Sequence, residues 1–160
     1  MNQDQFIHYL LGFADGEGCF CIALKKQKSA KMRWVLDPVF HITQHVRSKK
    51  ILQDLQKFMD CGSVIKKYGQ KDTMIFIVQS RRELVDKVIP FFRKNKLIVK
   101  RKNFEIFAEV VESLDKHKHR NLKDFRKLVK KVFVMNNEGK YRKYKLEEVL
   151  SSLGSSETIR

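Results

Sequence analysis

Apolar positions along the chain follow two periods that alternate. Phe6, Ile7, Leu10, Leu11 and Ala14 recur every three or four residues, which predicts a helix over about Gln5 to Ala14 with Asp4 as its N-cap. Phe20, Ile22 and Leu24 then alternate with Cys19, Cys21, Ala23 and Lys25, the period of a half-buried strand. A basic loop from Lys25 to Lys31 leads to a second expected strand, about Met32 to Thr43. Its Leu36, Phe40 and Ile42 share one face, and Arg33, Val35, Asp37, Val39 and His41 share the other. Pro38 has core-side parity and argues for an edge position or a bulge.

Helical spacing returns in Ile51, Leu52, Leu55, Phe58 and Met59 and ends at the turn Asp60-Cys61-Gly62. Ser63 to Lys67 and Thr73 to Gln79 read as strands around a turn at Tyr68 to Asp72. Met74, Phe76 and Val78 are expected to point inward, with Ile75 and Ile77 facing the other way. Arg81 to Phe92 forms a helix that Pro90 ends or bends. Further helices are expected at Asn103 to Leu114, Leu122 to Met135 and Tyr144 to Leu153, with a polar loop from Asn136 to Tyr144. The order helix-strand-strand-helix-strand-strand-helix, followed by more helices, is an α+β pattern with helices on one sheet face and the other face open. Residues 1–153 are expected to form one domain and residues 154–160 a loose tail.

Charge narrows the partners. Among 160 residues there are 34 Lys plus Arg against 18 Asp plus Glu, a formal charge of +16, which favours DNA, RNA or an anionic membrane. No apolar run is long enough to span a bilayer, and the N-terminus lacks the pattern of a signal peptide. Cys19, Cys21 and Cys61 are an odd, irregularly spaced set, pointing to a reducing compartment and to neither a disulfide framework nor a zinc site. His117 and His119, two residues apart without a Cys or acidic partner nearby, make a poor zinc motif. Trp34 reads as a packing or loop-anchoring residue.

The stretch Leu10 to Gly18 breaks local rules. Gly12 interrupts good helix formers at a cost of about 1 kcal/mol against alanine, acceptable where a second helix approaches closely. Asp15 and Glu17 sit where acidic side chains oppose the helix dipole. One reading is a helix stop followed by an acidic turn. The other is a convergence of carbonyls and carboxylates that holds a hard cation.

Leu10-Leu11-Gly12-Phe13-Ala14-Asp15-Gly16-Glu17-Gly18 resembles the signature of the LAGLIDADG homing endonucleases. The resemblance implies an αββαββα core whose four antiparallel strands form a saddle over DNA, with additional C-terminal helices here. A single motif in a chain of this length implies a homodimer, with Tyr9, Gly12 and Phe13 at the interface. Glu17 would be the catalytic metal ligand, aided by the backbone carbonyl of Gly16, while Asp15 caps or braces the helix junction. Gln44 corresponds to a strand-end glutamine that positions water or metal. Lys100 corresponds to the active-site lysine, with Lys94, Lys96, Arg101 and Lys102 as close rivals, and Lys49 is a candidate helper. Strand parity offers Cys21, Ala23, Lys25, Arg33, Val35, Asp37, His41, Ile65, Lys67, Ile75 and Ile77 to the DNA groove. Asn137 to Lys143 resembles the family's C-terminal loop, which tracks the DNA backbone, and the resemblance implies Lys140, Arg142 and Lys143 as its phosphate contacts.

The implied activity is a Mg²⁺-dependent double-strand break with short 3′ overhangs in a long pseudo-palindromic site, promoting intron mobility. Mn²⁺ is expected to substitute, and Ca²⁺ to bind without efficient cleavage. An RNA-binding intron maturase of the same fold, with intron RNA as partner, and a catalytically inactive DNA-binding protein are the alternatives. The expected location is an organelle (chloroplast or mitochondrion) if organelle-encoded and otherwise a prokaryotic cytoplasm, without secretion.

Overall fold

Helix α1 spans Gln3–Glu17. Its cap is Asn2 and not Asp4. The Asn2 side chain accepts from the Gln5 amide at 2.9 Å, and the Gln5 side chain accepts from the Asn2 amide at 3.0 Å, a reciprocal capping box. The helix also outruns the expected stop at Ala14. It carries Asp15, Gly16 and Glu17 as its last turn and passes directly into strand β1, Gly18–Lys26. Gly18 makes that junction possible, since a Cβ there would lie 2.5 Å from the Ala14 carbonyl oxygen.

The computed structural model describes residues 2–138 and 142–153, so the expected tail at 154–160 falls outside it. Strand β2, Trp34–His45, pairs antiparallel with β1, setting Cys19 against His41, Phe20 against Phe40 and Ala23 against Asp37. Arg33 precedes the strand and lies in the connecting loop at φ 59°, where its carbonyl accepts from Gln27 N at 2.9 Å. Strands β3, Ser63–Lys66, and β4, Thr73–Val78, complete an antiparallel sheet in the order β1-β2-β4-β3. Thus β2 is central only from Phe40 onward, and its first half, which holds Pro38, has β1 as its one neighbour, the local edge that Pro38 argues for. Pro38 pairs in continuous register with Ile22, without a bulge. The β4 ladder begins only at Phe40, so Pro38 lies where β2 has a neighbour on one side alone and can lack a donor.

Helix α2, Lys49–Met59, follows a 3₁₀ turn at Val46–Ser48. After β4 comes one helical stretch: α3, Arg81–Glu83, a π turn at Leu84–Val88, and α4, Ile89–Lys94. Pro90 neither ends nor breaks this stretch. The preceding turn widens, with the Ile89 amide donating to the Leu84 carbonyl, and so absorbs the residue that cannot donate. Helices α5, Arg101–Asp115, α6, Leu122–Glu138, and α7, Leu146–Ser152, complete the described chain.

Helices cover one sheet face. Phe20, Phe40, Phe76, Phe92, Phe104 and Phe107 are fully buried there, with Phe20 and Phe40 stacked at 4.7 Å and both meeting Phe92 edge-on. Burying each such side chain contributes about 1.5–3 kcal/mol. Trp34 is a packing anchor, as expected. Its indole N–H donates to Ser152 Oγ at 2.8 Å and its ring meets Tyr144 edge-on, tying α7 to the start of β2. Among the described residues, no helix is long and apolar enough to cross a membrane.

Candidate active site

The last turn of α1 resolves the misplaced acids. Asp15 lies at the C-terminus of α1 but its carboxylate serves the N-terminal end of α5. It accepts from the backbone amides of Ile98 at 2.7 Å, Val99 at 3.2 Å and Lys100 at 3.0 Å. These amides lie in the loop leading into α5 and at its N-cap, the positive end of the helix dipole, where an anion is favoured. The brace pins the 97–100 segment, and the side chain of Lys100 turns back to α1. Its ammonium donates to the Gly16 carbonyl at 2.8 Å and reaches the Ala14 carbonyl at 3.4 Å. Ile98 and Val99 face solvent, 87% and 78% exposed.

Glu17, the next residue, is exposed and takes no hydrogen bond or ion pair among the described residues. Lys100 is thus fixed on the Gly16 carbonyl at the foot of α1, with Glu17 the adjoining residue of the chain. Gln44 approaches from the sheet: it lies two residues beyond Ile42, the partner of Gly18, at the half-buried end of β2. Lys49 is exposed at the start of α2, and no hydrogen bond ties it to this group.

The Gly16 carbonyl and Glu17 carboxylate are hard oxygen donors of the kind Mg²⁺ takes. The Gly16 oxygen already holds a cation, the Lys100 ammonium, so the negative end of α1 is an environment that attracts positive charge. By donor type the two oxygens fit a hard divalent ion, which would share or take over the Gly16 oxygen that Lys100 now holds.

The open sheet face extends from this point. Cys21, Ala23, Lys25, Val35, Asp37, His41, Ile65, Ile75 and Ile77 share its parity through the strand registers. Ile65 is 50% exposed, whereas Ile75 is only 9% exposed, hemmed in by its cross-strand neighbours Thr43 and Ile65. Lys25 and Asp37 form an ion pair across this face. Lys67 continues the face just beyond β3, its amide bonded to Thr73. Arg33 stands apart in the β1–β2 loop.

Arg142 departs from its expected role as a phosphate contact. Its guanidinium is turned inward, donating to the carbonyls of Ile22 at 3.0 Å and Val132 at 2.6 Å and lying over the Phe133 ring. Burial lowers its pKa. Lys143 is exposed and Lys140 is outside the described residues. On α1, Tyr9 is 44% exposed and stacks on Phe13 at 5.7 Å, and among the described residues nothing beyond its chain neighbours and the adjoining helix backbone lies within 4 Å of a Cβ built on Gly12.

One cluster escaped sequence reasoning. Cys19, Cys21 and His41 converge on the open face, with ligand atoms all within 4.8 Å of one another. The neighbouring Cys21 thiol lowers the Cys19 pKa to about 7; burial opposes this and Lys100 assists it. Cys19, and then burial, raise the Cys21 pKa. Burial and then Lys67 lower that of His41. The signal was there in shared strand parity, but His41 belongs to another strand.

A motif helix ending in paired hard ligands, above a helix-backed four-stranded sheet, is the arrangement of a known family. The profile described as LAGLIDADG endonuclease matches residues 10–111, more than half of the chain. Homing endonuclease I-ApeII of Aeropyrum pernix is 32% identical over 163 residues, covering 99% of this chain and 96% of that relative. The solved archaeal intron-encoded homing endonuclease I-Vdi141I, complexed with DNA, superposes with a TM-score of 0.91 at 32% identity, covering 98% of this chain and 99% of that one. The crystal structure of the homing endonuclease I-TnaI gives 0.78 at 27% identity, covering 94% and 97%. The chain belongs to the LAGLIDADG endonuclease family.

Proposed function

We propose that this protein is a homodimeric homing endonuclease that makes a site-specific double-strand break, with short 3′ overhangs, in a long pseudo-palindromic DNA target. The observation that carries this reading is the Lys100 ammonium held on the Gly16 carbonyl, next in sequence to the exposed Glu17, at the point where α1 passes into β1. Relatives of nearly the same length are named homing endonucleases, and one was solved on DNA. The excess of basic residues suits a duplex partner.

Glu17 and Gly16 would hold Mg²⁺, which when bound relieves charge on the leaving oxygen and activates water. Lys100 places a fixed positive charge beside the scissile phosphate, and Asp15 sets its position through the backbone. Gln44 orients water at the strand end. Lys25, Arg33, Lys67 and Lys143 contact bases or phosphates. One carboxylate per chain is few for a hard cation, and two copies of α1 packed through Tyr9, the open Gly12 and Phe13 bring two such ends together.

The test uses the intronless form of the locus that carries the gene. The unaltered protein with Mg²⁺ is expected to cut both strands with a staggered 3′ end, while Glu17→Gln binds the same duplex and cuts at least about 100-fold more slowly. Equal cutting by both proteins removes Glu17 from the mechanism. Tight binding of the intron RNA without DNA cleavage replaces the nuclease by a maturase. A single chain per duplex by sedimentation ends the symmetric scheme.

A further inference from the structure

We propose that Cys19, Cys21 and His41 form a binding site for one thiophilic divalent cation of the Zn²⁺ class per chain, separate from the oxygen donors Gly16 and Glu17. Two thiols and an imidazole within 4.8 Å of one another are the donor set of a zinc site lacking its fourth ligand. A tetrahedral ion with bonds of about 2.0–2.3 Å needs ligand atoms roughly 3.7 Å apart. Closing the widest pair therefore takes roughly 1 Å of side-chain movement, within the reach of small rotamer adjustments.

The scaffold favours that closure. Cys19 and Cys21 alternate onto the same face of β1, and His41 is the cross-strand partner of Cys19. All three are half-buried, leaving the fourth position open toward the groove for water or a phosphate oxygen. Softness decides which ion binds: sulfur and imidazole suit Zn²⁺ and reject Mg²⁺. Lys67, Lys100 and Arg142 oppose a bound cation, and the two thiolates, with Asp37 already paired to Lys25, offset them. A disulfide does not compete, because residues two apart on one strand sit about 6.8 Å apart, at the limit of disulfide geometry. Occupancy places an ion on the groove face two residues from Glu17.

The experiment is a Co²⁺ titration of the reduced, chelator-stripped full chain without DNA or Mg²⁺. The expected result is one equivalent per chain, with thiolate-to-cobalt charge-transfer absorption that Zn²⁺ abolishes by displacement. Zn²⁺ is also expected to shield Cys19 and Cys21 from alkylation in the unaltered protein, read by mass spectrometry. Cys21→Ser and His41→Ala should each weaken binding at least about 100-fold, since even outer partners of metal ligands carry 10- to 100-fold. Cys61→Ser and Glu17→Gln should bind unchanged. No charge-transfer band in the unaltered protein, full affinity in Cys21→Ser, or lost affinity in Glu17→Gln each overturns the site. The band and the shielding need neither a variant nor cleavage, so neither a misfolded variant nor failure of the nuclease reading can imitate that outcome.

Discussion

The two faces of the sheet are built from alternate residues of the same strands, yet they answer to different demands. Toward the helices, Phe20, Ile22, Leu36, Phe40, Ile42, Phe76 and Val78 are almost wholly buried, apolar and mutually packed. On the open face, Cys19, Cys21, Asp37, His41 and Ile77 are half-buried, chemically mixed and short of a partner surface. A one-residue slip would exchange them, so the core holds the groove chemistry in register. The buried apolar contacts lie on one face and the ionisable and thiol side chains on the other, only a pleat apart.

That contrast can be broken by comparing neighbours. Phe40→Ala is expected to cost about 3–5 kcal/mol of stability by urea denaturation, through lost burial and a cavity among the aromatic rings. His41→Ala, one residue on, should cost under about 1 kcal/mol in the same measurement, as half-exposed substitutions usually do. Comparable losses would make the open face a second core. Cysteine reactivity sharpens the contrast: with Cys19 lowered to about 7 and Cys61 raised by burial to about 11, Cys19 should alkylate at least about 100-fold faster at neutral pH.

Asp15→Asn weakens three charge-assisted bonds to the 98–100 backbone and should cost about 1.5–3 kcal/mol in a thermal melt. It should also slow single-turnover cleavage while leaving DNA affinity intact, because it displaces Lys100 and not the groove. Arg142→Ala orphans the Ile22 and Val132 carbonyls and should lose about 1–3 kcal/mol of stability. Lys143→Ala should lose none and lower the salt dependence of DNA binding by about one ion. Among the charge pairs, a small effect is expected from Lys25 and Asp37. A double-mutant cycle should give the pair under about 1 kcal/mol of folding free energy, since both side chains are partly exposed.

Much of the architecture was legible because helix and strand periods are local. The inward set Met74, Phe76 and Val78 needed only alternation, and the aromatic helix stripes needed only three- and four-residue spacing. Boundaries were harder. The end of α1 depends on Gly18 fitting against Ala14, and the tolerance of Pro38 depends on where β4 begins pairing. Neither is written in a short window. Arg142 looked like a surface cation in a basic loop, and nothing local says that two carbonyls await its guanidinium.

By itself the sequence determined the order of elements, the faces of the strands, the basic character and the motif that ends in Gly16-Glu17-Gly18, since each rests on residue type and near-neighbour spacing. Only the tertiary structure decided which of five neighbouring basic residues meets that motif. Lys100 does so because Asp15, far away in the chain, grips its backbone amide. It alone set His41 beside Cys19 and Cys21, because cross-strand register, not sequence distance, decides which side chains share a few ångströms of space.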